Sequence, residues 1–255
     1  VSSNTTLPWV LDPTPNNSNL SANAIHGVDN LNNSELVTIN NAAAGTYTIH
    51  VAGTSVPFGA QHFVVGYQLL FDQVTLTYPI GGEHWVPGET ERVRWDSYGA
   101  SGVFNIDLSN DGGATWNNVA TANAALRYAD ITVPNIISGQ MLVRVSRGSL
   151  SDISDTLFSV IPVPTNFHVT QACPNSITVK WDLVNGATDY TIYKLGQKYM
   201  ELIGNSATDS FVISPINSLL VNWFAVSAND ATTNAKGRRC IAIQHQGMTN
   251  CIVTD

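Results

Sequence analysis

Short runs of alternating apolar and polar residues dominate the chain and predict β-strands. Residues 45–51 show the pattern well, with Tyr47, Ile49 and Val51 on one face. Comparable runs lie at 35–39, 62–69, 103–109, 128–134, 141–145, 157–160, 167–170, 176–182, 187–194, 222–228 and 237–243. Gly, Pro and Asn separate them, as expected of turns. The pattern therefore predicts an all-β chain.

The runs group into three consecutive β-sandwich modules, at residues 1–76, 77–162 and 163–255. Residues 161–165 (IPVPT) predict a stiff linker, because proline fixes φ and blocks strand continuation. The first module has only three clear strands after an Asn-rich start, so partner strands are missing and it is truncated at its N-terminus. We expect Val1 to lie inside a domain. A broken sandwich exposes strand edges, which predicts pairing with another copy or loose order in residues 1–33.

Composition excludes several classes of partner. Charged residues are 12% of the chain and the net charge is −8, with only 11 Lys and Arg. Phosphate binding needs clustered basic residues, so no nucleic-acid partner is expected. No apolar run approaches the roughly 18 residues of a membrane span. Residues 1–4 lack the pattern of a signal peptide, so a secreted protein would carry its targeting segment upstream of Val1.

Motifs in the first module resemble a known family. Three occur in order: Asp-x-x-Asn-Asn-x-Glu-x-Val from Asp29, Gly-x-Tyr-x-Ile from Gly45, and Pro-x-Gly-x-Gln-x-Phe from Pro57. Together with Trp9 and its neighbours they cover residues 7–69. This order resembles the β-sandwich that follows the catalytic domain in secreted bacterial subtilisin-like serine peptidases. The resemblance implies a non-catalytic C-terminal region of such an enzyme.

The middle module resembles the Ig-like modules of secreted bacterial peptidases and surface proteins, which begin Pro-x-Gly-Gly-Glu-x-Trp, here at 79–85. Trp85 and Trp95 are expected between its sheets. Residues 109–116 (SNDGGATW) fit the Asp-box pattern of sialidase hairpins. The chemistry expected there is structural: Asp111 accepts turn amides and Trp116 packs beneath the turn.

Residues 165–247 resemble a fibronectin type III module. Trp181 stands in the expected second strand, Ala-x-x-Tyr-x-Ile-Tyr at 187–193 matches the third, and 222–228 matches the sixth. Such a fold does not define a function.

The three cysteines, Cys173, Cys240 and Cys251, allow one disulfide. No CxxC pair is present, so zinc is not expected. Three free thiols remain an alternative, but a disulfide would suit an oxidising compartment. A Cys173–Cys251 bridge, which would fasten the tail to the first corner of the fibronectin-like module, is favoured over Cys240–Cys251.

Candidate chemistry is sparse, and no catalytic residue is predicted. A serine nucleophile needs a nearby histidine and carboxylate. The chain has neither a Gly-x-Ser-x-Gly elbow nor a Gly-Thr-Ser-Met-Ala string, and its six histidines are spread over three modules. A row of exposed aromatic rings could bind sugars; Trp9 and Trp116 are the candidates, because the other tryptophans fall at expected core positions.

Calcium is a second candidate, since it binds several converging oxygens. Five oxygen-bearing residues fall within seven positions: Asp29, Asn30, Asn32, Asn33 and Glu35. Asp29, Asn32 and Glu35 are the candidate ligands. The alternative is that these side chains bond their own turn backbone. A weaker alternative in the middle module consists of Asp107, Asp111 and Asp130.

The resulting hypothesis is that the chain is a non-catalytic accessory region of a secreted bacterial subtilisin-like peptidase. Such a region would support the peptidase fold, space it from a surface, or bind a substrate or partner. Its expected partners are an upstream peptidase domain or another protein chain, with polysaccharide or a cell surface as further ligands. The alternative is a cell-surface adhesion or carbohydrate-binding protein without a peptidase domain. A calcium-stabilised module is a third possibility.

Overall fold

A computed structural model gives the fold and describes residues 5–14, 16–98, 102–246 and 250–253. The chain forms two compact units, Val1–Gln68 and Leu69–Asp255. The described residues are almost entirely strands, turns and extended segments, which confirms the all-β prediction. No helix among them is long and apolar enough to cross a bilayer.

The described residues of the N-terminal unit, Val1–Gln68, form three short elements. These are β1 (Trp9–Val10), α1 (Asn17–Leu20) and β2 (Ile25–His26). β1 and β2 pair antiparallel, with Trp9 opposite His26. The Asn16 side chain caps α1 by accepting a hydrogen bond from the Asn19 backbone N–H at 2.9 Å.

The predicted strands at 35–39, 45–51 and 62–69 are wrong, because the structure has no strand there. Every residue from 31 to 73 is exposed, and no described residue of this unit is buried. A strand is stabilised by a neighbour's backbone and by burial of one face. Fixing a backbone costs about 1–2 kcal/mol per residue, and no burial offsets that cost here.

Nine strands build the middle sandwich over its described residues. They are β3 (Val74–Tyr78), β4 (His84–Trp85), β5 (Thr90–Ser97), β6 (Val103–Ser109), β7 (Asn117–Asn123), β8 (Tyr128–Thr132), β9 (Ser138–Arg147), β10 (Leu150–Ile153) and β11 (Phe158–Val160). One sheet has the order β3-β5-β8. The other has the order β4-β11-β9-β6-β7, and β10 also pairs with β9.

Aromatic side chains fill the middle core. Trp85 and Trp95 are 2% and 1% exposed, as expected from the sequence. The Trp85 ring centroid lies 4.5 Å from that of Phe158, and the Trp95 centroid lies 5.0 Å from that of Phe104. Tilted aromatic pairs at these distances stabilise the fold by more than the burial of their apolar area alone. The core therefore sits between the two sheets.

The last sandwich contains the remaining strands. They are β12 (His168–Cys173), β13 (Ser176–Lys180), β14 (Asp189–Leu195), β15 (Met200–Ser206), β16 (Ser210–Ile213), β17 (Asn222–Asp230), β18 (Ala235–Lys236), β19 (Ile243–His245) and β20 (Ile252–Val253). One sheet has the order β16-β13-β12-β20, and the other has β15-β14-β17-β18 with β19 on β17.

The predicted final strand at 237–243 is wrong in its bounds, because residues 237–242 lie between β18 and β19 and only Ile243 belongs to a strand. Between them the chain still follows β17, since the Cys240 N–H donates to the Val226 carbonyl at 2.8 Å. Inside the sandwich, Trp181 lies 5.3 Å from Tyr190, whose hydroxyl accepts a hydrogen bond from the Val184 N–H at 2.7 Å.

The predicted proline-rich linker is packed rather than free. Ile161 is fully buried in the core of the last sandwich, and its N–H donates to the Trp85 carbonyl of the middle sandwich at 3.2 Å. Ile137, from the middle sandwich, also packs against the last core. Glu89 and Arg238 form an ion pair between the two sandwiches.

A set of direct contacts, which we call the joint, fastens the two sandwiches together. The Gly139 N–H donates to Thr233 Oγ1 at 3.3 Å, and the Lys236 N–H donates to Ser159 Oγ at 3.1 Å. His84 Nδ1 lies 2.5 Å from the Lys236 carbonyl oxygen, so this ring nitrogen carries the proton. The partners of β18 in the joint are thus on β4 and β11, and β9 contacts Thr233 just before β18.

We expect Gly139→Ala to loosen the joint. A Cβ at Gly139 would lie 2.4 Å from the backbone carbon and oxygen of Asn234, and backbone cannot move away cheaply. Overpacking of this kind costs about 1–3 kcal/mol. Calorimetry should show a lower melting temperature or two separated transitions. Gly66→Ala is the matched control, because its Cβ would meet nothing within 4 Å; identical melting curves for both variants would contradict the expectation.

Candidate interaction surfaces

An apolar, partly aromatic surface covers the outer side of one sheet in the last sandwich. Tyr193 lies opposite Leu202 on β15 and Ala225 on β17. Leu195 lies opposite Met200, one position beyond the Lys194–Phe224 pair. Leu195, Leu202 and Trp223 are 40%, 62% and 37% exposed. We call Tyr193, Leu195, Leu202, Trp223 and Arg239 the Trp223 face.

The burial of the intervening residues fixes the direction of this face. Ile192 and Phe224 are fully buried, so their neighbours Tyr193 and Trp223 point to the opposite side of the sheet. The Arg239 guanidinium stands 5.2 Å from the centroid of the Tyr193 ring. This contact places a cation on the aromatic part of the face.

Such a face is unusual for an antiparallel sheet, whose solvent side normally carries polar residues. Contiguous exposed apolar side chains mark interaction sites on soluble proteins. The sequence prediction that Trp223 belongs to the core is wrong. The alternating positions of 222–228 are apolar on both faces, so the period alone did not identify the outer one. The sequence signal for an outer position was that Trp223 lies between Asn222 and Phe224, which share the opposite face of the strand with Val226.

The two tryptophans predicted to be exposed are each covered on part of the ring. Trp9 lies 3.9 Å from His26 between ring centroids, and its Nε1 donates to Thr38 Oγ1 at 2.7 Å. The Arg144 guanidinium lies 4.4 Å from the Trp116 ring centroid. Trp223 therefore replaces both as the best-placed aromatic for a binding face.

The side chain of Asp111 holds the turn of the Asp-box hairpin, residues 109–116, through hydrogen bonds. Asp111 Oδ2 accepts a hydrogen bond from the Thr115 hydroxyl at 2.5 Å, and Oδ1 accepts from the Thr115 N–H at 2.9 Å and the Ser109 hydroxyl at 2.7 Å. The Thr115 hydroxyl is the main cause that lowers the pKa of Asp111 to about 2, followed by the Thr115 N–H and the Ser109 hydroxyl. The carboxylate is committed to holding the turn.

The proposed calcium ligands are only partly brought together. Asp29 Oδ2 accepts a hydrogen bond from Asn32 Nδ2 at 2.6 Å, and Oδ1 accepts from the backbone N–H groups of Leu31 at 2.8 Å and Asn32 at 3.1 Å. These bonds, led by that of Leu31, lower the pKa of Asp29. Glu35 is exposed and has no hydrogen bond to either residue within the described chain. The turn accounts for this geometry, and calcium stays a prediction.

The second set of candidate calcium ligands, Asp107, Asp111 and Asp130, does not converge, because each carboxylate binds a different partner. Asp107 pairs with Arg144 at 2.8 Å and Asp130 with Arg92 at 2.6 Å, while Asp111 holds its hairpin. In the described ranges, no three His, Cys, Asp or Glu side chains form a group that could hold a metal ion.

A disulfide joins Cys173 to Cys251. β20 follows directly and pairs with β12, with Ile252 opposite Ala172, so the tail adds a strand to the sheet of β12. Cys240 is the free thiol, and burial raises its pKa. The bridge thus closes one edge of the last sandwich.

The strand order identifies the last sandwich as fibronectin type III-like. β12, β13 and β16 form the sheet of the first, second and fifth strands, while β14, β15 and β17 form the other with the final strand. The sequence expectation of this fold is confirmed. No protein-family model matches the chain. No curated protein compared with it matches either.

Solved structures similar to the chain are fibronectin type III proteins and a receptor. An FN3tt mutant is 16% identical over 33% of this chain and 93% of its own, with a TM-score of 0.30. The FN1–FN3 domains of chicken CNTN1 are 16% identical over 68% of this chain and 64% of their own, with a TM-score of 0.30. A cytokine receptor complex is 12% identical over 69% and 96%, with a TM-score of 0.42. Similarities at this level carry no argument about activity or partners.

We expect the Asp111 carboxyl to titrate with a pKa of about 2, which is below its ordinary value of 3.8. A depressed folded pKa means that the stabilising effect is present above about pH 4 and is lost as the pH falls through about 2. A carboxyl-detected NMR titration measures this directly. The Thr115→Val variant, which lacks the hydroxyl, should raise the pKa; an unchanged value would contradict the assigned cause.

Proposed function

We propose that this chain is the non-catalytic C-terminal region of a secreted bacterial subtilisin-like serine peptidase. In this proposal the middle and last sandwiches form one stiff arm, which spaces the peptidase from a surface and presents a binding face. We assign no catalytic residue to the chain.

The joint is the observation that carries the spacer role. A flexible tether would need an exposed linker, whereas here Ile161 is fully buried and Gly139, Ser159 and His84 bond directly to the next sandwich. An arm with a fixed angle between its modules transmits a defined distance and direction. The motif order at residues 7–69 supports the peptidase context.

Secretion is part of the same proposal. The Cys173–Cys251 disulfide suits an oxidising compartment, and charged side chains are sparse on a surface rich in Asn, Thr and Ser. The partner proposed for the N-terminal unit is an upstream peptidase domain or another protein chain. Polysaccharide and the cell surface are proposed ligands of the arm.

The gene sequence upstream of the Val1 codon tests this proposal. We expect an in-frame domain with Asp, His and Ser motifs in subtilisin order. In the resulting enzyme, deletion of residues 69–255 should leave hydrolysis of a short chromogenic peptide unchanged while retention on the cell surface falls. A signal peptide ending just before Val1 would overturn the peptidase context.

A second candidate function is favoured by the Trp223 face. An adhesion or carbohydrate-binding protein without a peptidase domain would use an exposed aromatic on a sheet surface, because an indole ring stacks well on apolar ligand surfaces. Trp223 is 37% exposed on β17, and Arg239 stands over the half-buried Tyr193 ring on the neighbouring strand β14.

If the second candidate is correct, Trp223→Ala should weaken binding on a glycan array by roughly tenfold or more, as for a central aromatic anchor. Val212→Ala is the control, since Val212 is 59% exposed on β16 in the opposite sheet. Equal binding by both variants, or no binding by the parent protein, would reject this candidate.

A further inference from the structure

The Arg239 side chain lies across the outer side of β17. Its backbone follows the edge of β17 that faces away from β14, because the Cys240 N–H donates to the Val226 carbonyl and β17 separates β14 from β18. Its guanidinium nevertheless stands 5.2 Å from the centroid of the Tyr193 ring, which belongs to β14. The arginine stem therefore crosses β17 and ends on an aromatic ring.

This placement covers two outward positions of β17. Ala225 and Ser227 alternate with buried inward residues, so they point to the outer side, yet each is only 1% exposed. Tyr193 stands opposite Ala225, and its hydroxyl lies 3.4 Å from Ser227 Oγ. Arg239 and Tyr193 together account for this burial. A guanidinium packed in this way loses little freedom when a ligand binds, so it is pre-organised.

Arg239 has no anionic partner among the described residues. Four other arginines form ion pairs with carboxylates, namely Arg92 with Asp130, Arg144 with Asp107, Arg147 with Asp72 and Arg238 with Glu89. The Arg239 guanidinium forms neither an ion pair nor a hydrogen bond within the described ranges.

Two acidic residues of the same sheet are directed or bonded elsewhere. Glu201 is adjacent to the outward Leu202 on β15, so it belongs to the other side of the sheet. Asp189 lies roughly 13 Å along β14 from Tyr193, and it accepts a hydrogen bond from Asn229 Nδ2 at 2.8 Å. The charge of Arg239 is therefore left for a ligand, and a carboxylate is its complement.

The surroundings of Arg239 favour a protein partner over a sugar. Leu202, Leu195 and Trp223 are 62%, 40% and 37% exposed, so two of these three apolar side chains are aliphatic. A sugar ring would stack on the indole but leave both leucines uncovered, whereas apolar side chains of another protein would cover all three. Tryptophan, tyrosine and arginine are also the residues enriched at the centres of protein interfaces.

We propose that the Trp223 face binds a protein segment in which an Asp or Glu lies beside apolar side chains. The carboxylate of the segment pairs with the Arg239 guanidinium, whose planar fork suits two parallel hydrogen bonds. The apolar side chains cover Trp223, Leu195 and Leu202. The proposal rests on the proposed role of the arm in presenting a binding face, and it does not depend on the peptidase context.

Selection from a random peptide library displayed on phage tests this partner chemistry. The full chain is the bait, and phage that bind a double variant carrying Trp223→Ala and Arg239→Gln are removed first. We expect Asp or Glu beside Leu, Ile, Phe or Trp to be enriched over the unselected library.

Single variants assign the contacts of the selected peptides. Arg239→Gln should weaken binding about tenfold or more, and Arg239→Lys should restore only part of the affinity, since an ammonium lacks the planar fork. Trp223→Ala should give a similar loss. Arg94→Gln is the matched control, because it removes the same charge from an exposed residue of β5 and should bind like the parent. Equal melting temperatures show that the variants are folded.

Three results would overturn the proposal: no selected peptide, selected peptides without an enriched acidic residue, or equal binding by Arg239→Gln and the parent. Calorimetric titration with polygalacturonate and with dextran separates this failure from failure of the binding face itself. If no peptide is selected but Trp223→Ala abolishes binding of either polysaccharide, the protein partner is rejected and the binding face is kept. If neither peptides nor polysaccharides bind, both are rejected.

Discussion

The close approach of two backbones at Gly139 is the constraint on which the C-terminal unit depends. The space that a Cβ would need is filled by the backbone of Asn234, so only glycine lets β9 reach β18. That approach allows the Gly139 N–H to reach Thr233 and brings Lys236 to Ser159 and His84. Two sandwiches that could each fold around their own core become one unit.

The core tryptophans could be predicted from local sequence, because the apolar face of an alternating strand is the one that is buried. Trp85, Trp95 and Trp181 stand in runs in which one face is apolar and the other polar, and that contrast identifies the buried side. The rule failed where the contrast vanishes. Trp223 has apolar neighbours on both faces of β17, and β7 is so rich in Asn that its strand was not predicted. Pairing with β6 decides the structure of β7.

The interaction surfaces were harder to predict, because each depends on residues far apart in sequence. The joint combines side-chain and backbone groups from residues 84 to 236, and no local pattern links them. The Trp223 face combines β14, β15 and β17 through register. In contrast, the turns of Asp29 and Asp111 are made by residues within four positions, and their side-chain bonds could be predicted from composition.

The N-terminal unit shows the limit of local pattern most clearly. Residues 45–51 carry the alternation of a strand, yet alternation defines only which side chains share a face and not what lies beside the backbone. In the C-terminal unit most such runs pair with a neighbouring strand, and the apolar side chains of one face are buried in a core. In the N-terminal unit the same pattern stays exposed over residues 31–68. The pattern therefore predicted strands correctly where the chain supplies a neighbour, and it failed in the N-terminal unit, where the described residues supply none beside 45–51.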